Sequence, residues 1–426
     1  MSLPDLPPFH PDRPEPTVPA FDIATIPDEE IDHPSGNAEL LPKALKSPKE
    51  RRVILPPLIL GVSTFGYGIY ADDDNIKSSL PLRIVRLAMR CGINAFDTSP
   101  YYHPSEIVLG NILKALDYQR GSYHLITKVG KYGPNVKDHD FSPETIRKSV
   151  ERSLRRMNTD YLDVVYLHDL EYILPPPSHS GNPLSSLSSI LASPPRPTGE
   201  EHILLTAIET LRALQSKGKI LKVGIAGYPL PVLLRIALLV YQTSGKGLDI
   251  LQTYSHHTIQ NDSLAEGYLD AFTIEAHVEQ VVSAAPLSMG LLTSSGGPSW
   301  HPARAYSELY ETSRKVVEIC KSRGTSIEEV SLRYGYRPLT QKNENDSKKV
   351  PIVVGCINLE QLHSTLKNHK DVNPSYVSEE REQQAREHEE QDRPKREFES
   401  EIKQIFESNG TRNWSWECPS QAQRSG

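Results

Sequence analysis

Four residues able to move a single proton stand at or just beyond the ends of short apolar runs. Asp97 closes the run Ile93–Phe96, Tyr102 follows it by five residues, Lys128 ends Tyr123–Lys128, and His168 ends Leu162–His168. Each has an ordinary structural reading: a turn cap, one tyrosine among nineteen, a solvated loop lysine, a rim histidine. Together they share one chemistry. A free phenol, with a pKa of about 10, is a poor proton acceptor at neutral pH, and a nearby ammonium favours its phenolate. On this reading Lys128 draws the Tyr102 pKa down, and Asp97 pairs with Lys128 and offsets the cost of burying it. His168 hydrogen-bonds a substrate oxygen and helps to carry the proton. The set is a general acid/base beside a carbonyl or alcohol, needing neither a covalent nucleophile nor a metal.

Such a site handles protons only, so the hydride must pass to a bound nicotinamide. Gly61 to Gly68 reads Gly-x-x-x-x-Gly-x-Gly, which is not the dinucleotide fingerprint, and Lys-Ser/Thr does not follow it. The cofactor therefore falls to loops and helix N-termini near the same strand ends.

The elements that must position these residues alternate regularly. Strands are expected at Leu58–Ser63, Ile93–Phe96, Tyr123–Lys128, Leu162–His168, Ile220–Ile225, Asp249–Thr253, Gln280–Ala284 and Pro351–Val354. Helices are expected at Leu82–Arg90, Ser105–Leu116, Pro143–Met157, Ile203–Lys217, Pro231–Gln242, Ser263–Phe272, Glu308–Arg323, Ser326–Arg333 and Leu359–Lys367. Eight apolar strands, each followed by a helix, predict an α/β protein closed as a (β/α)8 TIM barrel, with chemistry at the carboxyl ends of the strands.

The flanks differ in composition. Residues 1–52 read as a disordered or linker tail, 53–373 as the barrel, and 374–426 as a charged extension. In that extension Pro394 divides a charge run, while Phe398, Ile402, Ile405 and Phe406 share one face of a docking helix. The Pro/Ser-rich insertion Ile173–Glu200, with Pro175-Pro176-Pro177, reads as a surface loop or a substrate lid. Gln341–Lys349 reads as a polar loop. The net charge of −7 disfavours nucleic acid and acidic membrane surfaces as partners. Four separated cysteines, without metal-ligand spacing, suit a reducing compartment. The N-terminus has no secretory pattern and no apolar run spans a membrane, so the expectation is a cytoplasmic monomer or homodimer acting on a small molecule.

The motifs resemble those of the aldo-keto reductases. They are Leu60-Gly61-Val62-Ser63-Thr64-Phe65-Gly66; Phe96-Asp97-Thr98-Ser99-Pro100-Tyr101-Tyr102 with Ser105-Glu106 and Leu109-Gly110; and Thr127-Lys128-Val129-Gly130-Lys131-Tyr132. Leu162-Asp163-Val164-Val165-Tyr166-Leu167-His168-Asp169, Lys222-Val223-Gly224-Ile225-Ala226-Gly227 and Ala285-Pro286-Leu287-Ser288-Met289-Gly290-Leu291-Leu292-Thr293 continue the match. The resemblance implies that Tyr102 is the proton donor/acceptor, tuned by Lys128 and Asp97, and that His168 orients substrate. It implies a cofactor set of Thr64, Phe65, Asp97, Gln252 at the carboxamide, Pro286, Leu287, Ser288, Gly290 and Leu291 around the pyrophosphate, and Gly355, Cys356 and Gln361 after the last barrel strand.

Within the family, the motifs look like those of the sugar dehydrogenase branch, which includes L-galactose dehydrogenase and D-arabinose 1-dehydrogenase. NADP-using members place a lysine and an arginine after the eighth strand; here those positions fall at Gly355 and Gln361, which favours NAD. The tyrosine that often stacks on the nicotinamide appears as Ala284, and a Ser-Asn pair as Ala226-Gly227. The resemblance thus implies an NAD-dependent aldose 1-dehydrogenase acting on a sugar and giving a lactone. Two alternatives stay open: an NADPH-dependent carbonyl or pyridoxal-type reductase, and a non-catalytic, redox-sensing binding protein.

Overall fold

A computed structural model describes residues 6–18, 20–35, 53–70, 72–174, 181–192, 196–343, 346–374, 381–420 and 423–424. Its strands are β1 (Leu58–Gly61), β2 (Ala95–Asp97), β3 (His124–Val129), β4 (Leu162–His168), β5 (Ile220–Gly227), β6 (Ile250–Tyr254), β7 (Val281–Ala284), β8 (Thr340–Asn343), β9 (Asp346–Lys349) and β10 (Ile352–Gly355). The helices are α1 (Asp73–Lys77), α2 (Leu80–Arg90), α3 (Ser105–Leu116), α4 (Pro143–Arg156), α5 (Leu184–Ala192), α6 (Gly199–Ser216), α7 (Leu230–Ser244), α8 (Ser307–Ser322), α9 (Ile327–Tyr336), α10 (Leu359–Val372) and α11 (Arg381–Ser408).

Parallel pairing runs β1 to β7 in chain order, and β10 closes the ring against β1 with Leu58 opposite Ile352. The chain is thus a (β/α)8 barrel. The two-residue period of each strand sorts its side chains. Ile59, Ala95, Ile126, Val164, Tyr166, Ala226, Ile250, Val282, Ala284 and Val353 fill the interior. Their alternates Leu60, Phe96, Leu125, Val165 and Leu251 pack outward against the helices. Asp97, Lys128, His168 and Gln252 each lie two residues beyond an interior residue or its equivalent, so all four share the interior phase at the strand ends.

Sequence expectation and structure part at several places. Gln341–Lys349 contributes to an antiparallel hairpin, β8 with β9, in place of a loop. Instead of one helix at Ser263–Phe272 there are two π-type turns, Leu264–Tyr268 and Ala271–Glu275, and Gly267 leaves helical geometry in the first. In the insertion, α5 packs Leu184 and Leu187 on the core, while Pro175-Pro176-Pro177 lies outside the described residues. Helix α11 runs unbroken through Pro394. Ion pairs grip it on both sides of the proline: Asp392 with Arg333 (2.6 Å) and Arg337 (2.7 Å), and Glu399 with Arg337 (2.7 Å). Its Ile402 and Phe406 are buried in a cluster with Val316, Val317 and Ile327.

The described part of the N-terminal segment lies against the barrel wall. Asp32 receives Arg83 (2.6 Å) and Arg86 (2.8 Å) from α2, and Glu15 receives Arg152 (2.6 Å) and Arg156 (2.8 Å) from α4. Phe9 stacks on His103 at 5.2 Å, next to Tyr102. Among the described residues no helix is long and apolar enough to cross a membrane.

Candidate active site

Turn geometry and buried polar contacts bring the four residues together. After β2, the Ser99 hydroxyl accepts from Tyr101 N (3.1 Å) and Pro100 starts a single 3-10 turn that ends at Tyr102. Ser105, opening α3, ties this turn down through Thr98 Oγ1 (2.8 Å) and Val62 O (2.6 Å). Glu106 stands behind β3, where its carboxylate accepts from Thr127 Oγ1 (2.7 Å) and Ser153 Oγ (2.7 Å) and pairs with Arg156 (2.9 Å). Gly110 lets α3 approach α4: a Cβ there would come within 2.0 Å of Arg156 O.

In front of β3, Lys128 Nζ donates to Asp97 Oδ1 (2.5 Å) and Thr98 O (2.9 Å) and lies 5.0 Å from the centre of the Tyr102 ring. The Tyr102 and His168 rings meet edge to face at 5.6 Å. His168 Nδ1 is 3.0 Å from Ser99 Oγ. Because Ser99 Oγ already accepts from Tyr101 N, its proton is best assigned to Nδ1, which leaves Nε2–H as a donor.

The electrostatics correct the sequence expectation in two respects. The Tyr102 phenol is pushed well above its ordinary value, by burial first and then by Asp97 and Asp169; Lys131 pulls the other way. Lys128 donates to Asp97 Oδ1. The phenol is therefore held as an acid. His168 is driven well below the usual imidazole range by burial and by Lys128 and Lys131. A neutral imidazole donates a hydrogen bond but does not carry the proton. Burial likewise pushes Asp97 up, against the pull of Lys128 and of Gln252, which reaches the same carboxylate from β6.

With the barrel and this geometry established, comparison with known proteins is direct. Residues 57–379 match the Aldo/keto reductase family. The chain belongs to the aldo/keto reductase family. It is 35% identical over 280 residues to L-galactose dehydrogenase of Arabidopsis thaliana, covering 64% of this chain and 74% of that one. It is 30% identical over 321 residues to D-arabinose 1-dehydrogenase of Saccharomyces cerevisiae, covering 74% and 83% respectively.

Aldo/keto reductases use a nicotinamide cofactor, and the residues at the barrel mouth fit one. Buried polar atoms without a hydrogen-bond partner among the described residues include Thr64 Oγ1 after β1, Gln252 Oε1 on β6 and Ser288 Oγ after β7. The stretch after β7 holds Ala285, Ser288 and Met289 at φ 56°, 50° and 51°, with Gly290 at 99°. That strained backbone bends Pro286, Leu287 and Leu291 into a loop, the kind of conformation retained where a ligand needs it. Phe65 is buried in the turn after β1, and Gly355 lies beside it, where a Cβ would meet Thr64 Cγ2 at 3.1 Å. Two of the expected cofactor residues are engaged elsewhere. Cys356 Sγ points to Thr365 on α10 (3.7 Å), leaving its backbone to the mouth, and Gln361 Oε1 accepts from Ile357 N (3.0 Å).

The family departures also have structural explanations. A Cβ on Gly227 would sit 2.5 Å from Glu171 Oε2, so Glu171 takes the space of a side chain there. Ala284 is opposite Tyr254 in the β6–β7 register, so an aromatic ring stands beside it, one strand over.

Sequence reasoning missed several residues at the mouth. Lys131 and Asp169 form a second buried ion pair (2.7 Å). Glu171 is pushed up to about 8 by burial and by Asp169. The chain after α11 returns over the barrel, with Trp416 stacked on Tyr228 at 4.5 Å and Cys418 Sγ 3.7 Å from Glu171. Lys131 and Asp169 had a signal, since each stands just past a strand-end site residue. The returning segment had none.

Proposed function

We propose that the protein oxidises an aldose at its anomeric carbon with NAD, giving the aldonolactone. A bound nicotinamide would supply the two-electron acceptor for the hydride from C1. The anomeric hydroxyl loses its proton to the phenolate form of Tyr102, which alkaline pH supplies, and the C1–O bond becomes a carbonyl. Nε2 of His168 holds the reacting oxygen, and the Lys128–Asp97 pair fixes the phenol. The observation that carries this reading is the convergence of Tyr102, Lys128, Asp97 and His168 on one interior rim. The two named relatives support an aldose as substrate.

NAD is favoured over NADP by the surroundings of the last barrel strand. Gly355 offers no side chain, Gln361 Oε1 is taken up by Ile357 N, and Glu360 adds an acid to the first turn of α10. A 2′-phosphate there would lack charge-assisted hydrogen bonds, each contributing about 1.5–3 kcal/mol. One observation favours carbonyl reduction on the same scaffold: the phenol is held protonated, as a proton donor requires.

The deciding experiment is a panel of pentoses and hexoses at mildly alkaline pH, with NADH or NADPH appearance as readout. The expected result is turnover of at least one aldose, at least about tenfold more efficient with NAD. Turnover confined to carbonyl reduction with NADPH would overturn the assignment.

A further inference from the structure

Beside the four residues already described lies a charge pair they do not use. Lys131 and Asp169 stand three residues past Lys128 and one past His168, and both side chains are 6% exposed. Lys131 Nζ donates to Asp169 Oδ2 at 2.7 Å and is flanked by the rings of Tyr101 (4.2 Å) and Tyr172 (4.5 Å). Those rings hold the ammonium on two sides, so Asp169 cannot readily swing away from it.

Asp169 is only half satisfied. Its Oδ1 is buried and has no hydrogen-bond partner among the described residues. A carboxylate oxygen kept dry and unpaired is unfavourable unless a ligand donor meets it. The backbone at the same residue is left-handed, with φ 46° and ψ 52°. Asp169 Oδ2 lies 3.8 Å from His168 Nε2, the imidazole nitrogen that Ser99 leaves free. An oxygen held on Nε2 therefore has beside it the Asp169 carboxyl group, whose Oδ2 Lys131 binds and whose Oδ1 is unpartnered among the described residues. On a sugar, the nearest further donor is the hydroxyl on the adjacent carbon.

We propose that Asp169, braced by Lys131, binds the hydroxyl next to the reacting carbon, so that the site selects substrates bearing a 2-hydroxyl. This assignment rests on the aldose reading above and deepens it by naming the feature of the substrate that is read. A purely structural ion pair would affect every substrate alike; a hydroxyl receptor affects only those that carry the group.

The test compares wild type with Asp169→Asn on an aldose and on its 2-deoxy, 3-deoxy and 4-deoxy counterparts, each at saturating cofactor. Cofactor affinity by fluorescence and Tm are recorded alongside. Wild type should lose about 10- to 100-fold in kcat/KM on removal of the 2-hydroxyl, the range expected for a hydrogen bond to a charged group. In Asp169→Asn that ratio should shrink to within about threefold, and Lys131→Gln should move it the same way. If Asp169→Asn does not fold, the wild-type series decides, since a loss spread evenly over the three deoxy sugars overturns the assignment. An unchanged ratio in the folded variant also overturns it. If wild type turns over aldoses without regard to the 2-hydroxyl, only this inference falls. If it turns over no aldose, the proposed function falls and takes the inference with it.

Discussion

Lys128 Nζ lies 2.5 Å from Asp97 Oδ1, a cation and an anion sealed together beneath the Tyr102 ring. Both groups are almost wholly removed from water, so neither tolerates the loss of the other. Lys128→Met leaves Asp97 as a buried carboxyl without its partner. The expected loss of stability is about 3–5 kcal/mol, read as a drop in the urea or thermal midpoint. The double variant Lys128→Met/Asp97→Leu should recover part of that loss while remaining inactive. A single variant as stable as wild type would mean that the pair is not buried as described.

Tyr102→Phe deletes one hydroxyl and keeps the ring that packs against His168. General acid/base catalysis typically contributes about 100- to 10,000-fold, and the variant should lose a factor in that range in kcat. Nicotinamide binding, followed by fluorescence, should stay within about threefold of wild type. Retention of a tenth of the wild-type rate would remove Tyr102 from the proton-transfer step.

The pH profile follows from the directions of two shifts. Tyr102 is raised above its ordinary value and His168 lowered below its own, so near neutrality the phenol is protonated and the imidazole neutral. Carbonyl reduction should therefore be flat in kcat across neutral pH. Sugar oxidation, which needs the Tyr102 phenolate as acceptor, should rise toward alkaline pH. A reduction limb in the ordinary imidazole range that disappears in His168→Gln would contradict this.

Glu15 links the N-terminal segment to the site. It binds Arg156, Arg156 binds Glu106, and Glu106 accepts from Thr127, the neighbour of Lys128. Burial works to raise the Glu15 pKa, but Arg152 and Arg156 overcome it and hold it at about 2, against 4.5 when unpaired. A depressed carboxyl stabilises the fold above the unfolded value, and that stabilisation is lost as pH falls through the folded one. Glu15→Gln should thus lower Tm at pH 7, and its gap from wild type should close between about pH 4.5 and 2. Parallel Tm curves down to acid pH would show that the contact contributes nothing.

How much was legible beforehand depends on the range of the interaction. Strand ends read well: β4 was expected and found at Leu162–His168, because a buried parallel strand is a continuous apolar run. Asp97, Lys128 and His168 were legible because a polar residue closing such a run has few places to go but the rim. The hairpin β8–β9 was not legible, since its residues carry no apolar alternation to betray pairing. Nor was the course of α11 through Pro394, where ion pairs from α9 outweigh the local penalty of proline.

Local order in the chain by itself determined the barrel, the four proton-handling residues and the lack of a basic pair after the last barrel strand. The first two follow from periodicity and residue type within a few positions, and the third from the resemblance of Gly355 and Gln361 to the family's positions. Only the tertiary structure decided the charge states and the second ion pair. Whether Tyr102 is raised or lowered depends on how deeply it is buried and on which charges surround it, and burial with Asp97 and Asp169 raises it. That Lys131 meets Asp169, and that Trp416 returns to cover Tyr228, are contacts across tens to hundreds of residues. Closure of the barrel creates them; position just past a strand end hints at the first pair, and no short-range pattern encodes the second.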